Sequence, residues 1–219
     1  MSIRVSSWDI GMRTLSYCIL TSPKIGTDIE EVVIERWDCI DILNDIDLEE
    51  NEEQINKKRK RTCKNISIPD ATKLLIEALS KRPFLLTPKP TIILIETQPG
   101  GKFANIRMKA LSHVLQAFFC IKLPEVPIEF VSAKVKLLMK PNEPNETSNQ
   151  GDSNKARKKR YKSNKEFSKN ECKNLIQRSH NSEKAVKLYN AYKKQDDLAD
   201  AFLQGCAIIT NAKNKKEKK

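Results

Sequence analysis

Four carboxylates in this 219-residue chain stand where their chemistry could converge: Asp9, Glu96, Asp197 and Asp200. Asp9 closes an apolar run and is followed by the turn residue Gly11, and Glu96 closes the run TIILIE. Asp197 and Asp200 are three apart in QDDLADAFLQGCAII, which puts both on one face of a helix as it starts. Clusters of three or four carboxylates suit Mg²⁺, with Mn²⁺ as the alternative. Two such ions about 4 Å apart stabilise the attacking and leaving oxygens of phosphodiester hydrolysis. No general-base histidine is essential to that chemistry. Each acid also has a bland reading. Asp9 and Gly11 can simply make a turn, Glu96 can end an exposed strand, and acids at a helix start are favoured by its dipole. Asp196 is four residues from Asp200, so spacing alone does not choose between Asp196 and Asp197.

The elements that must position these acids follow from local pattern. Ile3 to Trp8 reads as a strand ending at Asp9, Leu15 to Leu20 as its antiparallel return, and Val32 to Cys39 as a third strand. Pro69 opens a helix whose Ala71, Leu74, Leu75, Ala78 and Leu79 recur at helical spacing, ending near Lys81. Thr91 to Glu96 has the uninterrupted apolar character of a central strand, with Ile92, Leu94 and Glu96 on one side. From Phe103 to Ile121 a helix presents a wide apolar stripe that can cover the sheet and leave surface for a partner. His113, within it, reads as a packed or exposed residue. Ile128 to Val131 is a short strand, and Ser132 is placed to cap a helix from Ala133 to Met139. Helices are expected over about Ser163 to Gln177, Glu183 to Tyr192, and from Gln195 onward.

Composition narrows the function classes. Forty Lys and Arg against 28 Asp and Glu give a net charge of +12, which points to an anionic partner, nucleic acid above others. Nine of the basic residues fall between Lys155 and Lys173. Lys155, Arg157, Lys158, Lys159, Arg160, Lys162 and Lys165, with Tyr161 and Phe167 among them, form the strongest candidate for a phosphate-contacting surface. A solvated basic helix face is the alternative. The six cysteines include no CxxC pair and have only two histidines beside them, which argues against a zinc site and for reduced thiols. With no apolar run near the roughly 20 residues that span a bilayer, and no recognisable secretion or transit signal, the chain is expected to be soluble and to work in the cytoplasm or nucleus. The expected organisation is one domain over 1–212, with a charged insertion at about 41–65, a basic segment at about 141–173 and a basic tail at 213–219. The insertion runs from an acidic stretch into KKRKR at 57–61, which resembles a nuclear localisation signal.

WDIGMRTLSYCIL, IILIETQ and QDDLADAF, in this order and spacing, resemble the motifs of RuvC-like Holliday junction resolvases of the RNase H-like superfamily. The DIGxxxxSYC and DDxAD forms are most similar to those of fungal mitochondria and of large DNA viruses such as poxviruses, and the viral kind fits better a chain without a transit peptide. The resemblance implies an α/β fold with a mixed five-stranded sheet flanked by helices, in the order βββαβαβα. It implies catalytic, metal-binding roles for Asp9, Glu96, Asp197 and Asp200, and two Mg²⁺ or Mn²⁺ ions per site. It also implies a homodimer that cuts a four-way DNA junction symmetrically. Lysines near the scissile phosphate fall around Ser132 to Lys136 and just beyond, with the corresponding residue left open. The insertion at 41–65 departs from the family pattern. Two other readings stand beside this one: a relative that binds nucleic acid without cutting it, and an RNase H acting on RNA-DNA hybrids. A sugar kinase or actin-like ATPase needs a second glycine-rich phosphate turn and a longer chain, and only six glycines are present.

Overall fold

The computed structural model describes residues 2–44, 66–101, 105–139, 154–192 and 194–211, with the side chains of 154–162 excepted. Five strands form one sheet: β1 (Ile3–Asp9), β2 (Leu15–Ser22), β3 (Val33–Ile40), β4 (Ile92–Glu96) and β5 (Ile128–Val131), in the order β3-β2-β1-β4-β5. The first three are an antiparallel meander, while β4 and β5 run parallel to β1. This is the mixed five-stranded sheet expected from the sequence. Between β1 and β2 the turn needs Gly11, because a Cβ there would lie 2.8 Å from the Thr14 carbonyl oxygen.

Helix α1 (Ile68–Ser80) follows β3, and α2 (Ile106–Lys122) connects β4 to β5. Ser67 caps α1 by accepting from the Asp70 amide at 3.2 Å, with Pro69 in the first turn. After β5 come three helices, near the positions expected from the sequence: α3 (Asn154–Arg178), α4 (Ser182–Ala191) and α5 (Gln195–Ile209). Helix α3 begins nine residues before the Ser163 start expected from the sequence, as Lys and Arg, good helix formers, extend it through the basic segment. The short helix expected over Ala133 to Met139 is instead a 3₁₀ turn, Val135–Met139. Its bonds span three residues, as from the Val135 amide to the Ser132 carbonyl at 2.8 Å. Ile42 and Leu43 are buried, and Asp41 makes a turn by accepting from the Leu43 amide at 3.1 Å, whereas 45–65 and the tail 213–219 lie outside the described residues.

Strand alternation sorts the core into two layers. Trp8, Tyr17, Ile19, Ile93 and Ile95 face α1 and α2, where Leu75, Leu79, Leu111, Leu115 and Phe119 complete the packing. Val5, Cys18, Leu20, Trp37 and Leu94 face α3, α4 and α5, meeting Cys172, Ile176, Tyr189, Leu198 and Phe202. Helix α5 comes unusually close to the sheet at Gly205, where a Cβ would lie 2.8 Å from Leu20 Cδ1 and 3.3 Å from Ser7 Cβ. The Trp37 indole N–H donates to the Leu198 carbonyl at 3.0 Å and fixes the first turns of α5 over β3. Among the described residues no helix is long and apolar enough to cross a membrane.

Candidate active site

Trp8 pairs with Ile95 across the parallel β1–β4 ladder, so Asp9 and Glu96, one residue on, end adjacent central strands side by side. Each shares the face of its strand that looks at α5: Val5 and Ser7 alternate with Asp9, and Ile92 and Leu94 with Glu96. Asp200 comes down to meet them from α5. One carboxylate oxygen from each of Asp9, Glu96 and Asp200 lies within 4.8 Å of the other two.

Three carboxylates at that separation, half-buried, repel one another strongly. Burial chiefly, and then the charges of Glu96 and Asp200, push the Asp9 pKa well above the ordinary carboxylate value. Glu96 and Asp200 are raised as well, again mainly by burial. Among the described residues the compensating charge is Lys136, from the 3₁₀ turn after β5. Its ammonium lies 3.7 Å from Glu96 Oε2 and donates to Asp200 Oδ2. Burial alone would lower the Lys136 pKa, yet Asp200 and Glu96 prevail and raise it, so the amine stays protonated. Ser168 of α3, almost fully buried, favours the charged form of Asp200. Asp200 Oδ1 is buried with no hydrogen-bond partner among the described residues. Among the described residues one ammonium against three carboxylates, an all-oxygen donor set and an orphaned buried oxygen together fit a hard divalent cation.

The α5 acids part company. Asp197 adds to the negative field at Asp9, Glu96 and Asp200 and takes a 3.1 Å ion pair from Lys194, but it is not among the three that converge within 4.8 Å. Asp196 turns the other way, to Lys165 of α3. The structure thus separates Asp197 from Asp196 where spacing did not. A row across the sheet, Asp9, Ser16 and Cys39 in direct register, lines the approach from β3. Ser16 Oγ is 2.9 Å from Cys39 Sγ, and burial chiefly, with the nearby Asp197, Asp38 and Asp9 charges, pushes that thiol up to about 12.

Sequence reading left Lys136 unselected and did not find Ser168, Ser16 or Cys39. The alternation SxC in LSYCIL marks Ser16 as on the same face as Cys18, and only the register places it beside Asp9. Of the basic candidates, Lys165 is engaged with Asp196. Lys155, Arg157, Lys158, Lys159, Arg160 and Lys162 sit in the first turns of α3, and their side chains lie outside the described residues. His113 packs its ring against Phe130, 5.4 Å between centroids, and takes no part in the cluster.

Residues 5–99 match the family model described as mitochondrial resolvase Ydc2 / RNA splicing MRS1. No curated protein sequence matches the chain. Among solved structures, the yeast mitochondrial Holliday junction resolvase Ydc2 is 19% identical with a TM-score of 0.55, over 98% of this chain and 81% of that one. Thermus thermophilus RuvC in complex with Holliday junction substrate is 9% identical with a TM-score of 0.53, over 97% and 96%. Fowlpox virus resolvase with its substrate Holliday junction DNA is 16% identical with a TM-score of 0.51, over 95% and 98%. At these identities the likeness is one of fold, and the chain has the RNase H-like fold of the RuvC-type resolvases that its motifs resemble.

Proposed function

We propose that this chain, matched by a resolvase family model from β1 to just past β4 and folded like three Holliday junction resolvases, is itself a metal-dependent endonuclease. Its substrate is the four-way DNA junction, cut symmetrically by a homodimer during recombination or viral genome processing. The observation that carries this reading is the convergence of Asp9, Glu96 and Asp200 at the mouth of the sheet, with Lys136 against them.

Asp9, Glu96 and Asp200 would hold the cation, with Asp197 reaching it from the turn before Asp200 when the site is charged. Bound divalent cations, Mg²⁺ or Mn²⁺ and two per site, would supply charge neutralisation at the scissile phosphate and a lowered pKa for the attacking water. Lys136, kept protonated by its neighbours, is the lysine placed to donate to a phosphate oxygen as charge develops there. The basic first half of α3 holds the arms of the junction through phosphate contacts from Lys155, Arg157, Lys158, Lys159, Arg160 and Lys162. Two-fold symmetry sets two sites at fixed separation, and α2 with the edge strand β5 offers the surface: Ile106 and Ile121 are 72% and 77% exposed, and Phe130 lies beside them in exposure at 36%.

The test is cleavage of a mobile four-way junction beside a linear duplex and an RNA-DNA hybrid, with Mg²⁺ and with chelator. Paired symmetric nicks in the junction alone are expected, and nicking of the hybrid alone would make the chain an RNase H. The family model also carries RNA splicing in its description, so a relative that binds without cutting remains the second reading. Tight junction binding with no cleavage in Mg²⁺ or Mn²⁺ would favour it. Imaging a tagged chain distinguishes the cytoplasm, nucleus or viral replication site expected from the sequence from the mitochondrion of the matched family.

A further inference from the structure

The turn between β1 and β2, residues 10–14, leaves the sheet at the end where Asp9 and Glu96 stand. The turn at 41–44, which follows β3, leaves from the same end, because Asp9 pairs with Ser16 and Leu15 with Ile40 across the meander. The first of these turns is firmly anchored. Ile10 and Met12 are buried in the core layer under α1 and α2, and Gly11 lets the chain close tightly on the Thr14 carbonyl. Arg13 stands out from this frame with its side chain 48% exposed, and its guanidinium meets the Asp41 carboxylate at 3.4 Å. A cation carried on a fixed turn at the mouth of a site is held where a substrate can meet it.

Asp41 does not depend on that ion pair. Its Oδ1 accepts from the Leu43 and Asn44 amides at 3.1 and 3.2 Å, and its Oδ2 accepts from the Asn44 side chain at 2.9 Å. A half-exposed pair at 3.4 Å holds its members weakly, whereas a guanidinium moved onto a phosphate offers two parallel donors to one anion.

Across the strand ends the cations flank the acids. Lys136 comes from the β5 side and faces Glu96 and Asp200, and Arg13 stands on the side of β2 and β3. A DNA strand with one phosphate over Asp9 and Glu96 carries a further charge for roughly every 3.4 Å of helix axis. Neighbouring β-strands are roughly 4.8 Å apart, so the next phosphate on the β2 side falls within the span of the 10–14 turn.

We propose that Arg13 is a substrate-binding residue, which exchanges Asp41 for the phosphate adjacent to the scissile one on the β2 side of the acidic cluster. The inference rests on reading Asp9, Glu96 and Asp200 as the site of phosphodiester cleavage.

The test maps where the wild-type protein cuts a four-way junction in Mg²⁺, then measures binding in chelator to junctions with single uncharged methylphosphonate linkages around that point. Arg13→Gln is expected to weaken binding of the unmodified junction by roughly 10-fold and to lower the slope of log affinity against log salt by about 1. The neutral linkage beside the cut should weaken wild-type binding by a similar factor and leave Arg13→Gln no weaker than before, since both changes remove one contact. Arg13→Lys should keep the salt slope, and Mn²⁺ binding without DNA should match the wild type in both variants. Asp41→Asn keeps an oxygen for the Leu43 and Asn44 amides and releases Arg13, so it should bind the junction at least as tightly as the wild type. A loss in Asp41→Asn equal to that in Arg13→Gln would make the pair a brace between two turns and overturn the proposal. Wild-type affinity and salt slope in Arg13→Gln, or losses that add at every linkage, would overturn it too. A wild type that cuts nothing in Mg²⁺ or Mn²⁺ would instead overturn the nuclease reading, and this inference with it.

Discussion

Burial and two like charges leave Asp9 holding its proton more tightly in the folded protein than in the unfolded chain. The contribution of such a group to stability is fully present below its unfolded pKa, near 3.9, and is lost as pH rises through the raised folded value. At pH 7 without metal, Asp9 is thus a cost to the fold. Asp9→Asn should raise metal-free stability at pH 7 by more than about 1 kcal/mol, since one pKa unit is about 1.4 kcal/mol, and the gain should vanish toward pH 4. Urea unfolding in chelator at both pH values measures it; a variant less stable than wild type at pH 7 would contradict the electrostatics. In Mg²⁺ the same substitution should lower cleavage by roughly 100-fold or more, as should Glu96→Gln and Asp200→Asn, because each removes a ligand. Junction binding should survive in all three. Lys136→Met removes the ammonium that offsets the cluster, so it should destabilise the metal-free protein at neutral pH by on the order of 3 kcal/mol and impair cleavage. Full activity in that variant would remove Lys136 from the chemistry.

Helix α5 delivers Asp200 because it lies close against β1 and β2, and Gly205 is what allows the approach. Alanine there would gain about 1 kcal/mol of helix propensity, but its methyl meets Leu20 and Ser7, both fully buried. Overpacking costs about 1–3 kcal/mol. Gly205→Ala is therefore expected to be destabilising on balance and to move Asp200, five residues earlier, relative to the strand ends. The urea midpoint and the cleavage rate should fall together; a stabilised, fully active variant would show that the Leu20 side chain gives way without moving the helix. The contrast with α2 is instructive. Leu111, Leu115, Phe118 and Phe119 are consumed by the core, so the apolar surface left on that helix is narrower than its sequence stripe, and is extended by Phe130 of the neighbouring edge strand.

For the molecule as a whole, the proposed preference for a junction over plain duplex has to come from shape, since phosphate contacts carry no branch information. Neutralising Arg157, Lys158, Lys159 and Arg160 together should weaken binding to junction and duplex alike and flatten the dependence of affinity on salt. Ile121→Glu with Phe130→Glu should dissociate the proposed dimer and remove the proposed junction preference first. Sedimentation at micromolar concentration and paired binding titrations at two salt concentrations separate these outcomes. A wild-type monomer, free and on DNA, would sink the dimeric arrangement, and a basic-cluster variant that lost only junction binding would mean that α3 reads the branch itself.

The order of strands, the meander and the placing of Asp9 and Glu96 at strand ends and Asp200 near a helix start were legible in the chain, because strand ends, turn glycines and helix starts are local signals. Periodicity of two even put Glu96 on one face with Ile92 and Leu94, the face that α5 covers. Local pattern could not separate Asp196 from Asp197, since both lie in the first turn of the same helix; their roles diverge only because α3 presents Lys165 to one of them. Nor could it select Lys136 from the lysines near β5. Its ammonium reaches Asp200 across 64 residues of sequence, and Ser16 falls beside Asp9 only through the β1–β2 register. Such contacts are set by helix register and by the parallel pairing of β1 with β4, which no single segment encodes.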